Sequence, residues 1–338
     1  KKNNTIDSTA IPLILRLKLK IVFINFLKNF NFIKILLNFK NPISISFNNI
    51  KYDKKFLDNF IFKKNDIFIF YGFNKVIDIK FLEVISKANI YFFPLDMETL
   101  TGGCHFDLNC ISSLNNFENI SLRKKNYIKN KISSNYDLKK KIFSKLNPKF
   151  IASNKGVLKK IKESNIYNGD TYLSYLTVNK DRIKYRNKSE LRKNFSLNKN
   201  DFLILNIAIN PYDQRKNIKT YIKIIKYFSN QKDFSENLKF IYVGGENPIK
   251  EKLHNYLFFQ SNFDNEFMNK IYRLSDLYLD LSLSDNGPMS VFESYLNNTS
   301  VIISKKSLFS FDFMNLPNVS LINPKNTNEI METIKVFL

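Results

Sequence analysis

From Asp201 onward, short runs of β-forming apolar residues alternate with segments of helical spacing. Asp201 to Ile209 reads DFLILNIAI, a run of strand type. Lys216 to Phe228 then places Ile218, Tyr221, Ile222, Ile225 and Phe228 on one helical face. Lys239 to Val243 (KFIYV) is a second strand, closed by Gly244-Gly245. A helical stretch from Asn265 to Leu274 leads to Asp276 to Leu281 (DLYLDL), and a helix follows Asp285-Asn286-Gly287-Pro288 as far as Asn297. Strands at Ser300 to Ser304 and Val319 to Ile322, with a last helix from Asn328, complete the pattern. Strands that are apolar throughout fit a parallel sheet covered on both faces.

The first half offers similar strands at Ile43 to Phe47, Asp66 to Tyr71 and Asn89 to Phe93. A polar, Lys-rich stretch, Asn115 to Lys145, separates the halves. A chain of 338 residues is long enough for two domains of about 150 residues each. The expectation is therefore an α/β fold with two domains in tandem, 1–145 and 146–338, and a cleft between them. Ligands of such sheets bind outside the carboxyl ends of the strands.

Composition excludes several classes. With 44% hydrophobic and 25% charged residues the chain can bury a core, which rules out wholesale disorder. Two cysteines cannot form a disulfide framework or a four-cysteine zinc site. The net charge of +23 has two readings. Lys, Asn, Ile and Phe have AT-rich codons, and a biased genome would enrich them in any protein. The alternative is an anionic partner, with membrane lipid ahead of nucleic acid. The opening Lys1-Lys2-Asn3-Asn4 carries no initiator Met and no secretory signal, which reads as a fragment. The apolar stretch Ile11 to Phe39 is interrupted by Arg16, Lys18, Lys20, Lys28 and Lys34, so it fails as a spanning helix. It reads as a buried element at a domain edge or a basic amphipathic element on a membrane surface.

Three segments carry chemistry. In Leu281 to Ser294 (LSLSDNGPMSVFES) an apolar strand ends, and a Gly-Pro turn starts a helix with Pro288 at its first turn. The amides of such a helix start form an anion site. Asp285 and Glu293 are eight residues apart, one on the loop and one two turns into the helix. Carboxylates suit sugar or ribose hydroxyls; the plain alternative is a capping Asp285 and a solvated Glu293. In Asn210 to Asn217 (NPYDQRKN), Arg215 and Lys216 follow a strand's carboxyl end, where cations could neutralise a diphosphate leaving group. The alternative is two exposed charges at a helix start. The third segment runs from Asp96 through Thr101-Gly102-Gly103-Cys104-His105-Phe106 to Cys110. Gly102-Gly103 permits close backbone approach or positive φ. A shaped loop is the favoured reading, and a metal site of Cys104, His105 and Cys110 is the other.

TGGCHF with Cys110, following an LDM tripeptide, resembles the TGGCHY…C signature that follows HDM in a branch of family 4 glycosyltransferases. That branch also carries a pattern S-x-x-D-N-x-P-x-x-x-x-E, which Ser282, Asp285, Asn286, Pro288 and Glu293 match. Its RKG at a helix start resembles Arg215-Lys216-Asn217, its T-P-S segment resembles Ile151-Ala152-Ser153, and its P-N-G-x-D-x-x-x-F loop resembles Thr177 to Tyr185 with Asp181. The resemblance covers most of residues 41–335.

The resemblance implies the GT-B architecture, two Rossmann-like domains facing across a cleft. It implies metal-independent transfer of a sugar, with retention, from a nucleotide-sugar that is a co-substrate, with no cofactor. Lys216 would contact the donor diphosphate, Asp285 the sugar hydroxyls and Glu293 the ribose. Arg215, Asn286, Gly287, Pro288 and Met289 would complete the donor site, with Gly287 to Met289 presenting backbone amides. Asp96, Thr101, Gly102, Gly103 and His105 would line the acceptor side. The expected acceptor is a glycan or lipid-linked glycan, at an anionic membrane surface and on the cytoplasmic side, with no nucleic-acid partner. Departures from the pattern are Leu95 and Tyr71 where histidines are usual, Asn210 where an Arg is usual, and Lys305 to Phe309 (KKSLF) where Gly-Gly is usual. The later cysteine pair and the N-terminal glycine-rich loop are also missing. Leu95 and Asn210 motivate a second reading, a protein of the same fold that binds a nucleotide-sugar or glycan without turnover.

Overall fold

The computed structural model describes residues 65–71, 78–106, 122–231, 234, 237–261 and 264–338. The strand read at Ile43 to Phe47, the stretch Ile11 to Phe39 and Cys110 lie outside them. Ten strands form two sheets: β1 (Ile67–Phe70), β2 (Asn89–Phe92), β3 (Lys149–Ala152) and β4 (Thr171–Leu173) in one, and β5 (Phe202–Ile207), β6 (Leu238–Gly244), β7 (Tyr256–Gln260), β8 (Leu277–Leu279), β9 (Ser300–Ser304) and β10 (Val319–Ile322) in the other. Every described strand pairing is parallel. Among the described residues nine helices accompany them: α1 (Phe81–Val84), α2 (Leu122–Leu146), α3 (Lys155–Glu163), α4 (Lys188–Asn194), α5 (Ile218–Ser229), α6 (Asn265–Leu274), α7 (Met289–Leu296), α8 (Ser310–Phe313) and α9 (Thr327–Phe337).

The second sheet explains why its strands read as unbroken apolar runs. Along β5, Ile204 faces one core while Leu203 and Leu205 face the other. On β6, Phe240 and Tyr242 point to the first core, Ile241 and Val243 to the second. Side chains alternate across a strand, so a sheet covered on both faces needs apolar residues at every position. Helices α5 and α9 supply Tyr221, Ile224, Ile225, Phe228, Ile330 and Ile334 to one core. Helices α6 and α7 supply Met268, Ile271, Tyr272, Leu274 and Val291 to the other.

The strand order is β10-β9-β8-β5-β6-β7. The chain builds outward from β5 through β6 to β7, then returns to the other side of β5 for β8, β9 and β10. The order therefore reverses between β5 and β8, a topological switch point.

β3 and β4 pair into the first sheet, and the change of sheet comes after Leu173. The Lys-rich stretch is no spacer over its described part. Residues 122–146 form α2, which buries Ile128, Ile132, Ile142 and Phe143. β3, β4, β7, α1, α4 and α8 had no expectation. Strand β7 is an edge strand with no fully buried residue, and α4 is only seven residues long.

Phe150 on β3 holds the first sheet's core, with its ring 5.3 Å from Phe92, 5.6 Å from Phe143 and 4.5 Å from Tyr167, centroid to centroid. Truncation leaves a cavity that such rings cannot refill. Phe150→Ala is expected to lower the unfolding free energy by about 3–5 kcal/mol, measured by urea denaturation.

Candidate functional site

The loops that leave β5 and β8 meet at the switch point. After β5, Asp213 caps a single 3₁₀ turn, Gln214–Lys216, by accepting from the Arg215 amide. After β8, the chain runs through Asp280 and Ser282 to the Asp285-Asn286-Gly287-Pro288 turn. The Leu283 amide donates to the Arg215 carbonyl at 2.7 Å, tying the loops together. Lys216 Nζ lies 2.5 Å from Asp285 Oδ2. Asp285 Oδ1 accepts from the Gly287 amide at 3.1 Å, and the Asp285 carbonyl accepts from the Leu308 amide. Gly287 has φ +156°, a conformation that disfavours a side chain, and an added Cβ would stand 3.0 Å from Asn154.

Asp280 sits beneath this pair and is almost fully buried. Its Oδ1 accepts from the Ser282 amide at 3.0 Å, and its Oδ2 has no hydrogen-bond partner. Burial pushes its carboxyl above the usual range; Lys216 opposes that shift and Asp285 adds to it. The two loops thus carry three acids (Asp213, Asp280, Asp285) and two cations (Arg215, Lys216). A neutral Asp280 brings the cluster to zero charge.

The Asp96–Phe106 loop, which leaves β2, is built as a rigid clamp. Asp96 accepts from the Glu98 amide at 2.8 Å and sits 2.6 Å from His105 Nδ1. Thr101 Oγ1 accepts from the Gly103 and Cys104 amides and donates to the Cys104 carbonyl at 2.8 Å. Gly102 passes so close to α2 that a Cβ would lie 1.9 Å from the Ile132 carbonyl oxygen, and Gly103 adopts φ +133°. Both properties of the glycine pair are used. Below the loop, Lys139 Nζ donates to Glu98 Oε1 at 2.7 Å and to the Thr101 carbonyl at 2.9 Å. Both side chains are buried, and burial holds the ammonium below its usual value while Glu98 pulls it back up.

This loop and the switch-point loops touch. Asn286 Nδ2 donates to the His105 carbonyl at 3.0 Å, and Ser284 Oγ donates to the Phe106 carbonyl at 3.1 Å. Asn154, after β3, donates to the Asn286 carbonyl at 2.8 Å. Tyr175, after β4, donates to Asp312 at 2.7 Å. Every one of these residues follows the carboxyl end of a strand, so the carboxyl ends of the two sheets face each other.

Glu293 lies deeper, inside α7. Only 4% of it is exposed. Oε1 is 2.8 Å and Oε2 3.0 Å from Arg182 Nη1, and Oε2 accepts from the Tyr272 hydroxyl at 2.5 Å. Burial, then the Glu293 charge, holds the Tyr272 hydroxyl well above its usual value, so it stays a donor. Between Glu293 and the switch point stands Tyr278, bonded to Ser290 at 2.7 Å. Its hydroxyl is raised first by burial and then by the negative charge of Asp280, Asp285 and Glu293.

The expected residues are thus sorted. Lys216 and Asp285 form a pair, Asn286 joins the His105 loop, and Glu293 belongs to a separate cluster with Arg182 and Tyr272. A solvated Glu293 is overturned by its burial. Asp285 does not cap α7, whose N-cap is Pro288 with no side-chain bond. Of the amides expected from Gly287 to Met289, Pro288 has none and Gly287 donates to Asp285. Arg215 is held by two groups. Its Nη2 pairs with Asp213 at 2.5 Å and its guanidinium lies 3.5 Å above the Phe106 ring. The Cys104, His105, Cys110 metal reading fails because Cys104 is disulfide-bonded. Arg182, Tyr272 and Asp280 had no expectation. Asp280 was detectable, as an acid closing the apolar run DLYLD; Arg182 and Tyr272 meet Glu293 across 111 and 21 residues, with no local spacing to show it.

No protein-family model matches the sequence, and curated proteins give no significant match. Solved structures do match. Sucrose-phosphate synthase from Thermosynechococcus elongatus has 14% identity and a TM-score of 0.52, over 73% of this chain and 57% of that one. WaaG, a glycosyltransferase involved in lipopolysaccharide biosynthesis, has 13% identity and a TM-score of 0.54, over 74% and 67%. Anabaena Alr3699/HepE in complex with UDP has 14% identity and a TM-score of 0.56, over 80% and 68%. The chain thus spans between about half and two thirds of these proteins. They establish the fold: two parallel α/β sheets in the GT-B arrangement.

Two outcomes follow from the buried charges. The unfolded chain loses the Asp280 proton at the ordinary carboxylate value, while the folded protein keeps it to higher pH. That side chain therefore lowers stability as pH rises through the interval between the two values. Asp280→Asn is expected to raise the melting temperature, with a gain that grows as pH rises above about 4. A gain that shrinks with pH would contradict the shift. Lys139→Ala leaves Glu98 buried and unpaired, and calorimetry or urea unfolding should register a loss of about 3–5 kcal/mol.

Proposed function

We propose that this protein is a metal-independent glycosyltransferase of hexosyltransferase type. It moves a sugar with retention from a UDP- or GDP-linked donor to a glycan or lipid-linked acceptor, in surface polysaccharide synthesis. The observation that carries the reading is the Lys216–Asp285 pair at the switch point of the second sheet, opposite the Asp96–Phe106 loop. Ligands of parallel α/β sheets bind at such points. The HepE structures with UDP and UDP-glucose, and WaaG's part in lipopolysaccharide synthesis, support a nucleotide-sugar donor and a surface glycan as product.

In the resting protein Lys216 and Asp285 neutralise each other. A diphosphate entering the crevice competes for Lys216, and the freed Asp285 accepts from the sugar hydroxyls. When the bond between the anomeric carbon and the diphosphate breaks, negative charge grows on the leaving oxygen and positive charge on the sugar ring. The ammonium stabilises the first and the carboxylate the second. Glu293 holds the ribose. Asn286, Pro288 and Met289 shape the donor side of the crevice, and Asp96, Thr101, Gly102, Gly103 and His105 shape the acceptor side.

Among the described residues no helix is long and apolar enough to cross a membrane. Exposed Lys140, Lys141 and Lys145 on α2 would attract anionic lipid, which fits work at the cytoplasmic membrane face.

The alternative, binding without turnover, draws on two observations. Asn210, at a position where an Arg is usual, caps its own turn by accepting from the Tyr212 amide at 2.9 Å. Arg215 is committed to Asp213 and Phe106, which leaves Lys216 as the cation facing Asp285. Isothermal titration with UDP- and GDP-sugars, run beside a donor-consumption assay, separates the two readings. Donor bound but not consumed supports the alternative.

Lys216→Ala is expected to lower kcat about 10²–10³-fold with donor KM changing less, since its charge acts mainly in the transition state. Glu293→Ala should mainly raise donor KM. If neither variant alters transfer or donor hydrolysis, the assignment fails.

A further inference from the structure

The Glu293 carboxylate is already largely occupied, and this limits what it can recognise. A carboxylate offers about four lone-pair positions on its two oxygens. Oε2 takes the Tyr272 hydroxyl at 2.5 Å and Arg182 Nη1 at 3.0 Å. Oε1 takes Arg182 Nη1 at 2.8 Å. About one acceptor position remains, on Oε1.

The occupants are fixed. The Arg182 guanidinium is held at Nε by Asn265 Oδ1 at 2.8 Å, and its carbonyl accepts from Asn297 Nδ2 at 2.6 Å. Asn297 Nδ2 also donates to the Glu293 carbonyl at 2.8 Å, which joins the Arg182 backbone to the helix that carries Glu293. Tyr272 is buried in the core between α6 and the sheet, and it has no other position to move to at low cost. These groups come from three separate places in the chain, the 180–182 turn, α6 and α7, so the arrangement is a built one.

Resting on the reading of Glu293 as the ribose carboxylate, we infer that Tyr272 and Arg182 are positioning residues that leave Glu293 able to accept from only one of the two vicinal ribose hydroxyls. Recognition of the donor nucleoside is then one-sided. One hydroxyl donates to Oε1, and the other faces an oxygen whose lone pairs are in use. Freeing Oε2 opens a second acceptor position.

The test uses the full chain and isothermal titration with UDP and with GDP, each compared with its 2′-deoxy and 3′-deoxy forms. In the unaltered protein, loss of one hydroxyl should weaken binding about 10- to 100-fold, the effect of a hydrogen bond to a charged group, while loss of the other should change it by less than about 3-fold. In Tyr272→Phe the tolerated deoxy form should become the weaker binder, because the unmodified nucleotide gains a contact that this form cannot make. Arg182→Met, which removes the Nη1 contact to both oxygens, should show the same change and serves if Tyr272→Phe does not fold. A comparable loss for both deoxy forms in the unaltered protein overturns the inference and leaves the ribose reading intact. One-sided recognition that persists unchanged in the variants overturns the role of Tyr272 and Arg182. Binding that ignores both hydroxyls and is unchanged in Glu293→Gln removes the ribose reading itself.

Discussion

The reversal of strand order between β5 and β8 is the constraint from which the rest of the site follows. Parallel strands need crossover connections, and these keep one hand. Helix α5, which follows β5, therefore lies in the core on one face of the sheet, and α7, which follows β8, in the core on the other. The connections from the two strands therefore turn to opposite faces, and ligands of such sheets bind where they diverge. Charged groups placed there are held by backbone that the sheet has already ordered. Lys216 and Asp285 occupy those two loops, 69 residues apart in the chain and 2.5 Å apart in space.

The first sheet contributes a wall to this space. Its loops after β2, β3 and β4 present His105, Phe106, Asn154 and Tyr175 to the second half. The precision of that wall rests on a costly interior. Lys139 and Glu98 are both withdrawn from water, and the ammonium is satisfied by Glu98 and by the carbonyls of Glu98 and Thr101. A buried pair of this kind adds little net stability. It does fix the Glu98 and Thr101 carbonyls, at the start of the loop whose His105 and Phe106 carbonyls accept from Asn286 and Ser284.

The pattern of apolar runs made the second sheet legible because burial on both faces leaves a mark at every strand position. Phe202–Ile207 and Ser300–Ser304 fall where the runs fall. Tyr256–Gln260 carries an apolar run as well, YLFF, and had no expectation, although the other edge strand, Val319–Ile322, had one. Helix α2 is rich in Lys and reads as a solvated spacer, yet Tyr136, Leu138, Ile142, Phe143 and Leu146 pack into the first core. At the site, Lys216, Asp285 and Asn286 were legible because each sits within a few residues of a strand end. Arg182 and Tyr272 were not. Their importance comes from meeting Glu293 in three dimensions, and Glu293 itself, on the sequence, was as well read as a surface charge. The stacking of Arg215 on the Phe106 ring had no local signal either, since the ring comes from the other half.

The account centres on Lys216 and Asp285 parting to receive a nucleotide diphosphate. A crystal structure of the full chain soaked with UDP or GDP measures this most directly. The account predicts diphosphate oxygens within hydrogen-bond distance of Lys216 Nζ and a lengthened separation from Asp285 Oδ2. A nucleotide bound away from the β5–β8 crevice, or bound within it while the ion pair stays closed, would contradict it.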